Sequence, residues 1–432
     1  MSPAITSSDF ASMMKDLPDV GDRFCVALSG GADSLALCLL ANEWAKTYDK
    51  SVVGVSVDHG LRENAVQECV WVGKTLQSYG IEHHILNWVG EKPVNGIQAA
   101  AREARYALLE AWCFEQGISD LLLAHHLDDQ AETFLLRLAR GSGVDGLSAM
   151  QKVSYGSSVR LLRPLLSTPK SVLIDYLQSR DQSWIEDPSN QNEAFERVKF
   201  RNAMGALAEL GLTAERLGQT AENMSRARLS LEGHARVWLK QNAMLFDEGY
   251  VILKIGALQG LDDEVILRSL ARIGMTIGGG IYPPRLERLL RLWKNLQSGE
   301  DGTLLGCRWI IQKTHILICR EVRNNITPEE YDLSKPLYWD DRFSLEPIEN
   351  NEISSSFSVR ALGEDGWANV VAHDPNLRET EIPMPAIYAL VSIWDKEGVS
   401  VVPHLGYKRG NLSMAMEKEA WVRFNPRIDL FN

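Results

Sequence analysis

Residues 24–46 read FCVALSGGADSLALCLLANEWAK, and the fold can be inferred outward from this stretch. Its first part, FCVALS, is a short apolar run typical of a buried strand. The part after Ser34 is too long for a strand and apolar on most faces, which predicts a helix. Between them lies the turn SGGADS, residues 29–34. A glycine-containing turn that leads from a strand into a helix N-terminus is a place where an anion can bind.

The residues of this turn suit a phosphate chain for separate reasons. Gly30 and Gly31 carry no Cβ, so the backbone N–H groups can approach the anion closely. Ser29 and Ser34 add a hydroxyl at each end of the turn. The turn matches neither the G-x-x-x-x-G-K-[ST] pattern of a Walker A loop nor the G-x-G-x-x-G pattern of a dinucleotide site. The structural alternative is an ordinary strand-to-helix turn in which Asp33 or Ser34 caps the helix.

The alternation of strands and helices continues to about residue 140. Further strands are predicted at 51–60, 82–88 and 120–126, and further helices at 62–80, 96–117 and 127–140. Strands that alternate with helices form right-handed βαβ crossovers and a parallel sheet that is covered on both faces. The predicted fold of this part is therefore a doubly wound parallel α/β sheet.

Two polar strings follow directly from predicted strands. They are Asp58-His59-Gly60-Leu61-Arg62 and His125-His126-Leu127-Asp128-Asp129-Gln130-Ala131-Glu132. In open α/β sheets, binding sites form at the carboxyl ends of the strands, so both strings and the glycine turn are expected to face one crevice. Asp129 and Glu132 also have the spacing of a helix capping box, which is the structural alternative for this pair.

Beyond residue 141 the pattern changes to longer helices and shorter strands. Helices are predicted at 168–180, at 213–246 and twice within 256–298, and strands in a hairpin at 303–321 and at 385–393 and 399–407. These segments predict a helical and mixed middle domain and a small β-rich C-terminal domain. The three domains are placed at 1–210, 211–325 and 350–432.

The composition excludes several classes of protein. With 432 residues, 45% of them hydrophobic and 24% charged, the chain has the make-up of a soluble protein with more than one domain. A net charge of -12 argues against an indiscriminate nucleic-acid binder and against DNA as a partner, although a local basic surface can still bind one RNA. The six cysteines form no C-x-x-C pair. Without a signal peptide or a long apolar span, a cytoplasmic protein with no membrane association is expected.

The chain resembles the tRNA(Ile)-lysidine synthetases, which are PP-loop enzymes of the N-type ATP pyrophosphatase superfamily. The resemblance rests on the turn and the two polar strings, together with three further strings. These are Ala101-Arg102-Glu103-Ala104-Arg105-Tyr106, Arg140-Gly141-Ser142-Gly143 and Arg163-Pro164-Leu165-Leu166. The match covers roughly the first 200 residues strongly and the C-terminal part more loosely.

The resemblance implies a reaction and its reactants. ATP adenylates the C2 oxygen of the wobble cytidine in the isoleucine tRNA with the CAU anticodon, and the ε-amine of L-lysine then displaces AMP. The product pairs with A rather than G, so codon reading changes from AUG to AUA. ATP and Mg²⁺ are required, and the sequence leaves the oligomeric state open, with a homodimer as one option.

The resemblance also implies roles for individual residues. ATP would be bound by Ser29, Gly30, Gly31, Ala32, Asp33, Ser34, Asp58 and His59. Asp33, Arg105, Asp129 and Glu132 would be catalytic. Asp33 would hold Mg²⁺, Arg105 would stabilise the phosphoryl charge, and Asp129 and Glu132 would either hold the metal or orient the lysine amine.

The resemblance further implies that the domain at 1–210 binds ATP and is catalytic, and that the domains at 211–325, with its long linker helix, and at 350–432 bind tRNA. Two basic sets are candidates for this tRNA binding. Arg197, Lys199 and Arg201 follow Asp187-Pro188-Ser189-Asn190, as in the family's basic segment, although Ala203-Met204 departs from the family's usual continuation. Arg285, Arg288 and Arg291 recur at helical spacing, and their alternative is a solvated helix face.

Two other functions compete with this interpretation. One is 2-thiolation of tRNA, which also begins with adenylation of a base oxygen but calls for paired, accessible cysteines. The other is a nucleotide-sensing RNA-binding protein without turnover, against which the acidic residues Asp33, Asp129 and Glu132 count.

Overall fold

The computed structural model describes residues 4–60, 65–90, 92–93, 96–156, 158–186, 196–322, 328–347, 357–409 and 421–432. The chain divides into two compact units, Met1–Arg228 and Leu229–Asn432. In the described ranges, no helix combines the length and the apolar character needed to cross a bilayer.

The first unit is built on a mainly parallel sheet. Its strands are β1 (Arg23–Leu28), β2 (Ser51–Asp58), β3 (Glu82–Asn87), β4 (Asp120–Leu122), β5 (Val153–Tyr155) and β6 (Arg160–Leu162). The helices are α1 (Ser7–Lys15), α2 (Ala32–Thr47), α3 (Ala65–Ser78), α4 (Ile97–Glu115), α5 (Leu127–Ala139), α6 (Val144–Leu147), α7 (Lys170–Gln178), α8 (Glu196–Glu209) and α9 (Ala214–Asn242), the last of which contains the boundary between the units.

The order of the strands determines where a site can form. The sheet runs β3-β2-β1-β4-β6-β5, and only the pairing of β5 with β6 is antiparallel among these described strands. The chain moves outward from β1 to β3 and then returns to place β4 on the other side of β1. This reversal opens a crevice at the carboxyl ends of β1 and β4. The predicted doubly wound fold is confirmed.

Burial of β1 explains why its sequence is a continuous apolar run. Phe24, Val26 and Leu28 point into the core beneath α1, α2 and α7. Cys25 and Ala27 point into a second core on the opposite face, beneath α4. Since helices cover both faces, every position of the strand is apolar rather than every second one.

The second unit contains antiparallel sheets and fewer helices. Its strands are β7 (Ala243–Phe246), β8 (Tyr250–Lys254), β9 (Gly302–Leu304), β10 (Cys307–Ile311), β11 (His315–Arg320), β12 (Glu329–Tyr331), β13 (Leu337–Trp339), β14 (Phe343–Leu345), β15 (Phe357–Ala361), β16 (Val391–Asp395), β17 (Gly398–Val402), β18 (Tyr407–Lys408) and β19 (Val422–Phe424). The helices are α10 (Asp263–Gly278), α11 (Leu286–Gln297), α12 (Gly363–His373) and α13 (Met384–Ile387).

These strands form sheets of order β7-β8-β11-β10-β9, β12-β15-β16-β17-β18 and β13-β14-β19. The first sheet packs with α10 and α11 around one core, and the others enclose further cores toward the C-terminus. The predicted mixed middle part and β-rich C-terminal part are confirmed. The boundaries at 1–210, 211–325 and 350–432 stay a prediction.

Several predicted elements are corrected by the structure. The helix predicted at 213–246 ends at Asn242, because Ala243–Phe246 pairs with β8 as a strand. The predicted hairpin at 303–321 consists of the three strands β9, β10 and β11. The segment predicted as a strand from 385 begins instead as the helix α13, which follows Pro383.

Two prolines account for further differences. The helix predicted at 168–180 begins at Lys170 and ends at Gln178, and Pro169 occupies the N-cap position. The strand predicted at 399–407 ends at Val402, because Pro403 has no N–H to donate to a neighbouring strand.

Candidate active site

The glycine turn is closed by the hydroxyl of Ser34. Ser34 Oγ accepts a hydrogen bond from Ser29 N at 3.1 Å and donates one to the Gly31 carbonyl oxygen at 3.1 Å. The Oγ atoms of Ser29 and Ser34 lie 3.2 Å apart. Ser34 is buried, so its side chain shapes the turn from within. Gly31 is the N-cap of α2 and provides no side chain to cap that helix, whose N-terminal end is therefore the anion-binding end.

Gly30 is the position in the turn where only glycine fits. Its φ is +79°, and a Cβ placed there would lie 2.8 Å from Ile185 Cδ1 and 3.1 Å from Val72 Cγ2. Ile185 N also donates a hydrogen bond to the Gly30 carbonyl oxygen at 3.0 Å. The turn is therefore packed closely against the segment that follows α7, and a side chain at Gly30 would push the two apart.

His126 joins the glycine turn to the beginning of α5. Its Nε2 lies 3.5 Å from Asp33 Oδ2 and 3.4 Å from Asp129 Oδ2, and its Nδ1 lies 3.5 Å from Asp128 Oδ2. The imidazole is buried. Burial would lower the pKa of His126, but the carboxylates of Asp128, Asp33 and Asp129 outweigh it and raise the pKa to about 10. His126 is therefore an imidazolium at neutral pH, held among three carboxylates.

Asp33 uses only one of its two carboxylate oxygens within the protein. Oδ2 faces His126 and also lies 3.4 Å from Lys170 Nζ. Oδ1 is buried and has no hydrogen-bond partner in the structure. Burial would raise the pKa of Asp33, but His126 and Lys170 together lower it, so the carboxylate is ionised.

The free oxygen of Asp33 fits a cation ligand. The described part of the chain contains no group of three or more His, Cys, Asp or Glu residues able to hold a metal ion by themselves. A Mg²⁺ ion is commonly bound by one or two carboxylates together with substrate phosphates, and this site suits that mode. Asp33 and Asp129 are the side chains that would hold it.

Asp128 and Asp129 also organise the ends of two helices. Asp129 Oδ2 accepts a hydrogen bond from His126 N at 3.1 Å, so Asp129 caps the start of its own helix. Asp128 Oδ2 accepts one from Lys170 N at 2.9 Å, at the start of α7. The capping box considered for Asp129 and Glu132 as a pair is not formed, because Asp129 is already the third residue of α5 and Glu132 is used elsewhere.

Glu132 is buried and connects α5 to α8. Its Oε1 accepts a hydrogen bond from Arg201 Nε at 2.7 Å, and its Oε2 is buried without a hydrogen-bond partner. Arg197 donates to Thr133 Oγ1 at 3.4 Å, one residue farther along α5. Lys199 is exposed. The basic set Arg197, Lys199 and Arg201 is therefore divided between the crevice and the surface. Residues 187–190, which precede it, lie outside the described residues.

Arg105 belongs to a group of arginines around His125. Arg163 Nε donates to His125 Nδ1 at 3.3 Å. Burial lowers the pKa of His125 to about 3, and the charges of Arg163, Arg102, Arg197 and Arg105 act in the same direction. Burial also lowers the pKa of Arg105. The four arginines come from α4, from the segment after β6 and from α8, and their charges surround His125, which lies in the segment after β4.

Asp58 and His59 lie at the end of β2. Asp58 is buried, and its Oδ1 accepts a hydrogen bond from Gly60 N at 2.8 Å. The ring of His59 packs edge-on against Trp88, with 6.1 Å between the centroids. Leu61 and Arg62 lie outside the described residues. A role for Asp58 and His59 in binding ATP stays a prediction.

The second basic set lies in the other unit. Arg285 is the N-cap of α11, and Arg288 and Arg291 are exposed on that helix, whereas Leu289 and Leu292 enter the core. The helical spacing is confirmed, and binding of tRNA by this face stays a prediction.

Sequence reasoning missed two residues of the site. It named His126 only within the string expected to face the crevice, although His126 lies within 3.5 Å of three carboxylates. It considered the segment around Lys170 only as a helix start, although Lys170 reaches Asp33. The position of His126 directly after a predicted strand was a usable signal, whereas nothing local to Lys170 indicates its neighbour.

Comparison with known proteins identifies the family of this chain. Residues 4–207 match the family model described as the PP-loop domain. The chain is 34% identical to the tRNA(Ile)-lysidine synthase of Ruegeria pomeroyi over 90% of both chains. It is 36% identical to that of Wolbachia pipientis over 80% of this chain and 81% of the relative, and 42% identical to that of Bradyrhizobium diazoefficiens over 59% and 72%. With a PP-loop at the reversal of its sheet and relatives that match along most of their length, the chain belongs to the tRNA(Ile)-lysidine synthase family.

Proposed function

We propose that this protein uses ATP to join L-lysine to C2 of the wobble cytidine in the isoleucine tRNA with the CAU anticodon. One observation carries the proposal: His126 holds Asp33 of the phosphate turn next to Asp129 of α5, at 3.5 and 3.4 Å. A phosphate-binding turn and an acidic helix start thereby share one crevice. An anionic nucleotide and a cationic amino acid can be brought together at such a place.

The turn and the N-terminus of α2 would bind the phosphates of ATP. Backbone N–H groups and the positive end of the helix dipole favour an anion there, and Gly30 and Gly31 leave room for it. A ring carbonyl is a poor electrophile, so transfer of AMP to the C2 oxygen, with release of pyrophosphate, supplies a leaving group. Arg105 and the arginines beside it would stabilise negative charge on the adenylate.

Asp33 is our proposed ligand for Mg²⁺, because its Oδ1 is buried and lacks a partner. Asp129 is the second candidate ligand. When bound, the ion would neutralise charge on the phosphates during transfer.

Glu132 would orient the lysine substrate. Its Oε2 is buried and unpartnered, and a substrate ammonium group would satisfy that oxygen. The ε-amine must lose its proton before it attacks C2 and displaces AMP. Arg201 holds the other oxygen of Glu132 at 2.7 Å, so we propose that Arg201 positions Glu132 in addition to its role in tRNA binding.

The tRNA would contact basic side chains on both units. We propose Arg197, Lys199 and Arg201 on α8 and Arg285, Arg288 and Arg291 on α11 as these contacts. One anticodon base must leave its stack to enter the crevice, as is usual for enzymes that act on a base. With such a substrate, the protein would act in the cytoplasm.

Thiolation of tRNA is not favoured by the cysteines. All six are buried, whereas sulfur transfer requires an accessible thiol. The acidic crevice instead matches the positive charge of lysine.

The test is incorporation of radiolabelled lysine into unmodified isoleucine tRNA with ATP and Mg²⁺. We expect label in the tRNA with the wild type and with Lys152→Ala, a surface variant, and none with Asp33→Ala. Formation of AMP and pyrophosphate would be followed in the same reactions. Cleavage of ATP without lysine in the tRNA would contradict the proposed nucleophile, and label without ATP would contradict the proposed activation.

A further inference from the structure

Lys170 is a flexible, positively charged side chain that contacts Asp33 of the phosphate turn. Its Nζ lies 3.4 Å from Asp33 Oδ2, and its side chain is 41% exposed. It belongs to α7 and not to the turn. We propose that Lys170 binds the pyrophosphate group of ATP; this inference rests on the proposed function.

The backbone around Lys170 is fixed by two hydrogen bonds to α5. Leu127 N donates to the Thr168 carbonyl oxygen at 3.0 Å, and Lys170 N donates to Asp128 Oδ2 at 2.9 Å. The starts of α5 and α7 are therefore tied together in both directions. Because Asp128 already occupies Lys170 N, the ammonium group of Lys170, rather than its backbone, is the group offered to an anion.

The phosphate turn needs a cation from elsewhere in the fold. The turn SGGADS contains no Lys or Arg, and Asp33 and Asp129 add negative charge beside the place where phosphates would lie. A Walker A loop carries its own lysine for this purpose. Here two basic side chains from elsewhere in the fold face Asp33 Oδ2, His126 at 3.5 Å and Lys170 at 3.4 Å.

Of these two cations, only Lys170 is able to move toward a ligand. His126 is buried and lies within 3.5 Å of three carboxylates. Lys170 is partly exposed on a side chain with four rotatable carbons. A compact ammonium group on a flexible stem is a common ligand of phosphate oxygens.

Because two side chains share Asp33 Oδ2, the movement of Lys170 from this oxygen to a phosphate should cost little free energy. His126 and Lys170 both face that oxygen, at 3.5 and 3.4 Å. If Lys170 turns toward a phosphate, His126 Nε2 remains 3.5 Å from the carboxylate. Asp33 Oδ2 therefore keeps a neighbouring polar group when Lys170 moves, and the loss of that neighbour would otherwise oppose the movement.

The structural alternative is that Lys170 only neutralises Asp33. In that case, removal of its charge would lower the melting temperature without specifically affecting phosphate binding. The two roles can be separated because they predict different results for the affinity for pyrophosphate and for replacement by arginine.

The experiment is calorimetric titration of the full chain with inorganic pyrophosphate in the presence of Mg²⁺. We expect Lys170→Met to raise the Kd roughly tenfold to a hundredfold, the range of one charge-assisted hydrogen bond. Lys170→Arg should recover most of the affinity. Lys152→Met is the matched control, since Lys152 Nζ also pairs with an aspartate, Asp16, at 3.0 Å and its side chain is 47% exposed; its Kd should equal that of the wild type.

Melting temperatures without ligand establish that each variant is folded, and Lys170→Gln replaces Lys170→Met if the latter is not. Unchanged pyrophosphate affinity in the folded neutral variant overturns the inference alone, provided that the wild type labels tRNA with lysine. A wild type that neither binds pyrophosphate nor labels tRNA overturns the proposed function together with the inference.

Discussion

Arg201 Nε donates a hydrogen bond to Glu132 Oε1 across 2.7 Å, while the second oxygen of Glu132 is buried without a partner. The carboxylate is almost completely enclosed, with 3% of its side chain exposed, whereas that of Arg201 is 44% exposed. One oxygen of Glu132 is thus held by the protein, and the other is directed into a buried environment that a positively charged ligand could share.

Replacement of Arg201 should therefore destabilise the first unit. Arg201→Ala leaves a buried carboxylate without its partner, and we expect a loss of about 1–3 kcal/mol, less than for a fully buried pair because Arg201 itself is 44% exposed. The free energy of unfolding by urea measures this effect. The double variant Arg201→Ala with Glu132→Gln should recover part of the loss, because the uncompensated charge is removed. Equal stability of the single and double variants would contradict the argument.

Gly30→Ala should damage the phosphate turn. The φ of +79° costs roughly 1–2 kcal/mol for an L-residue, and the contact with Ile185 at 2.8 Å adds to it. We expect a lower melting temperature and loss of pyrophosphate binding. Gly31→Ala is the matched control for stability, because its φ of -72° is ordinary and its added Cβ would meet nothing closer than 3.6 Å. Similar melting temperatures for the two variants would refute the geometric explanation.

His83 should make stability depend on pH in the acid range. Its Nε2 lies 2.9 Å from the hydroxyl of the buried Ser56, and burial lowers the pKa of His83 from 6.5 to about 4. Between these values the unfolded chain binds a proton that the folded chain does not. The contribution of His83 is therefore present above pH 6.5 and is lost as the pH falls to about 4.

The comparison with His83→Gln isolates this contribution. The difference in unfolding free energy between wild type and variant should shrink as the pH falls through this window. A difference that stays constant from pH 8 to pH 4 would show that folding does not lower the pKa of His83.

The exposed face of α11 should contribute to tRNA affinity. Arg288→Ala and Arg291→Ala each remove one phosphate contact and should lower the slope of log K against log salt concentration by about one. Nitrocellulose filter binding of tRNA at several salt concentrations measures this slope. Lys152→Ala, an exposed lysine of the first unit, is the control and should leave the slope unchanged. A slope unaffected by both arginine substitutions would leave α11 as a solvated helix face.

Much of the first unit could be predicted because its signals are local. The strand before Gly30 and the helix after it are each recognisable from a run of apolar side chains, and both lie where they were expected. The helix predicted at 213–246 was wrong at its end, because Ala243–Phe246 is a strand only through its pairing with β8. Such a preference comes from a neighbouring segment and is not visible in the residues themselves.

In the candidate site, too, the local features could be predicted from the sequence and the long-range contacts could not. The turn from Ser29 to Ser34 and the acids of α5 were found from residue types and their positions after strands. The partners of those acids were not: Arg201 was considered only for tRNA, and Lys170 only as part of a helix start. Both reach their carboxylates from distant points of the chain, since Glu132 and Arg201 are 69 residues apart and Asp33 and Lys170 are 137 residues apart.

The amino-acid sequence by itself thus determined the class of fold, the phosphate turn and the identity of the acidic residues, because each depends on hydrophobic periodicity or on the backbone freedom of neighbouring residues. Only the tertiary structure decided which cation serves which carboxylate. Asp33 obtains His126 and Lys170, and Glu132 obtains Arg201, because the return of the chain to β4 and the packing of α7 and α8 bring these side chains within 3.5 Å. A buried charge destabilises the protein unless an opposite charge lies close to it. Which charges come close depends on the folded structure and not on their order in the chain.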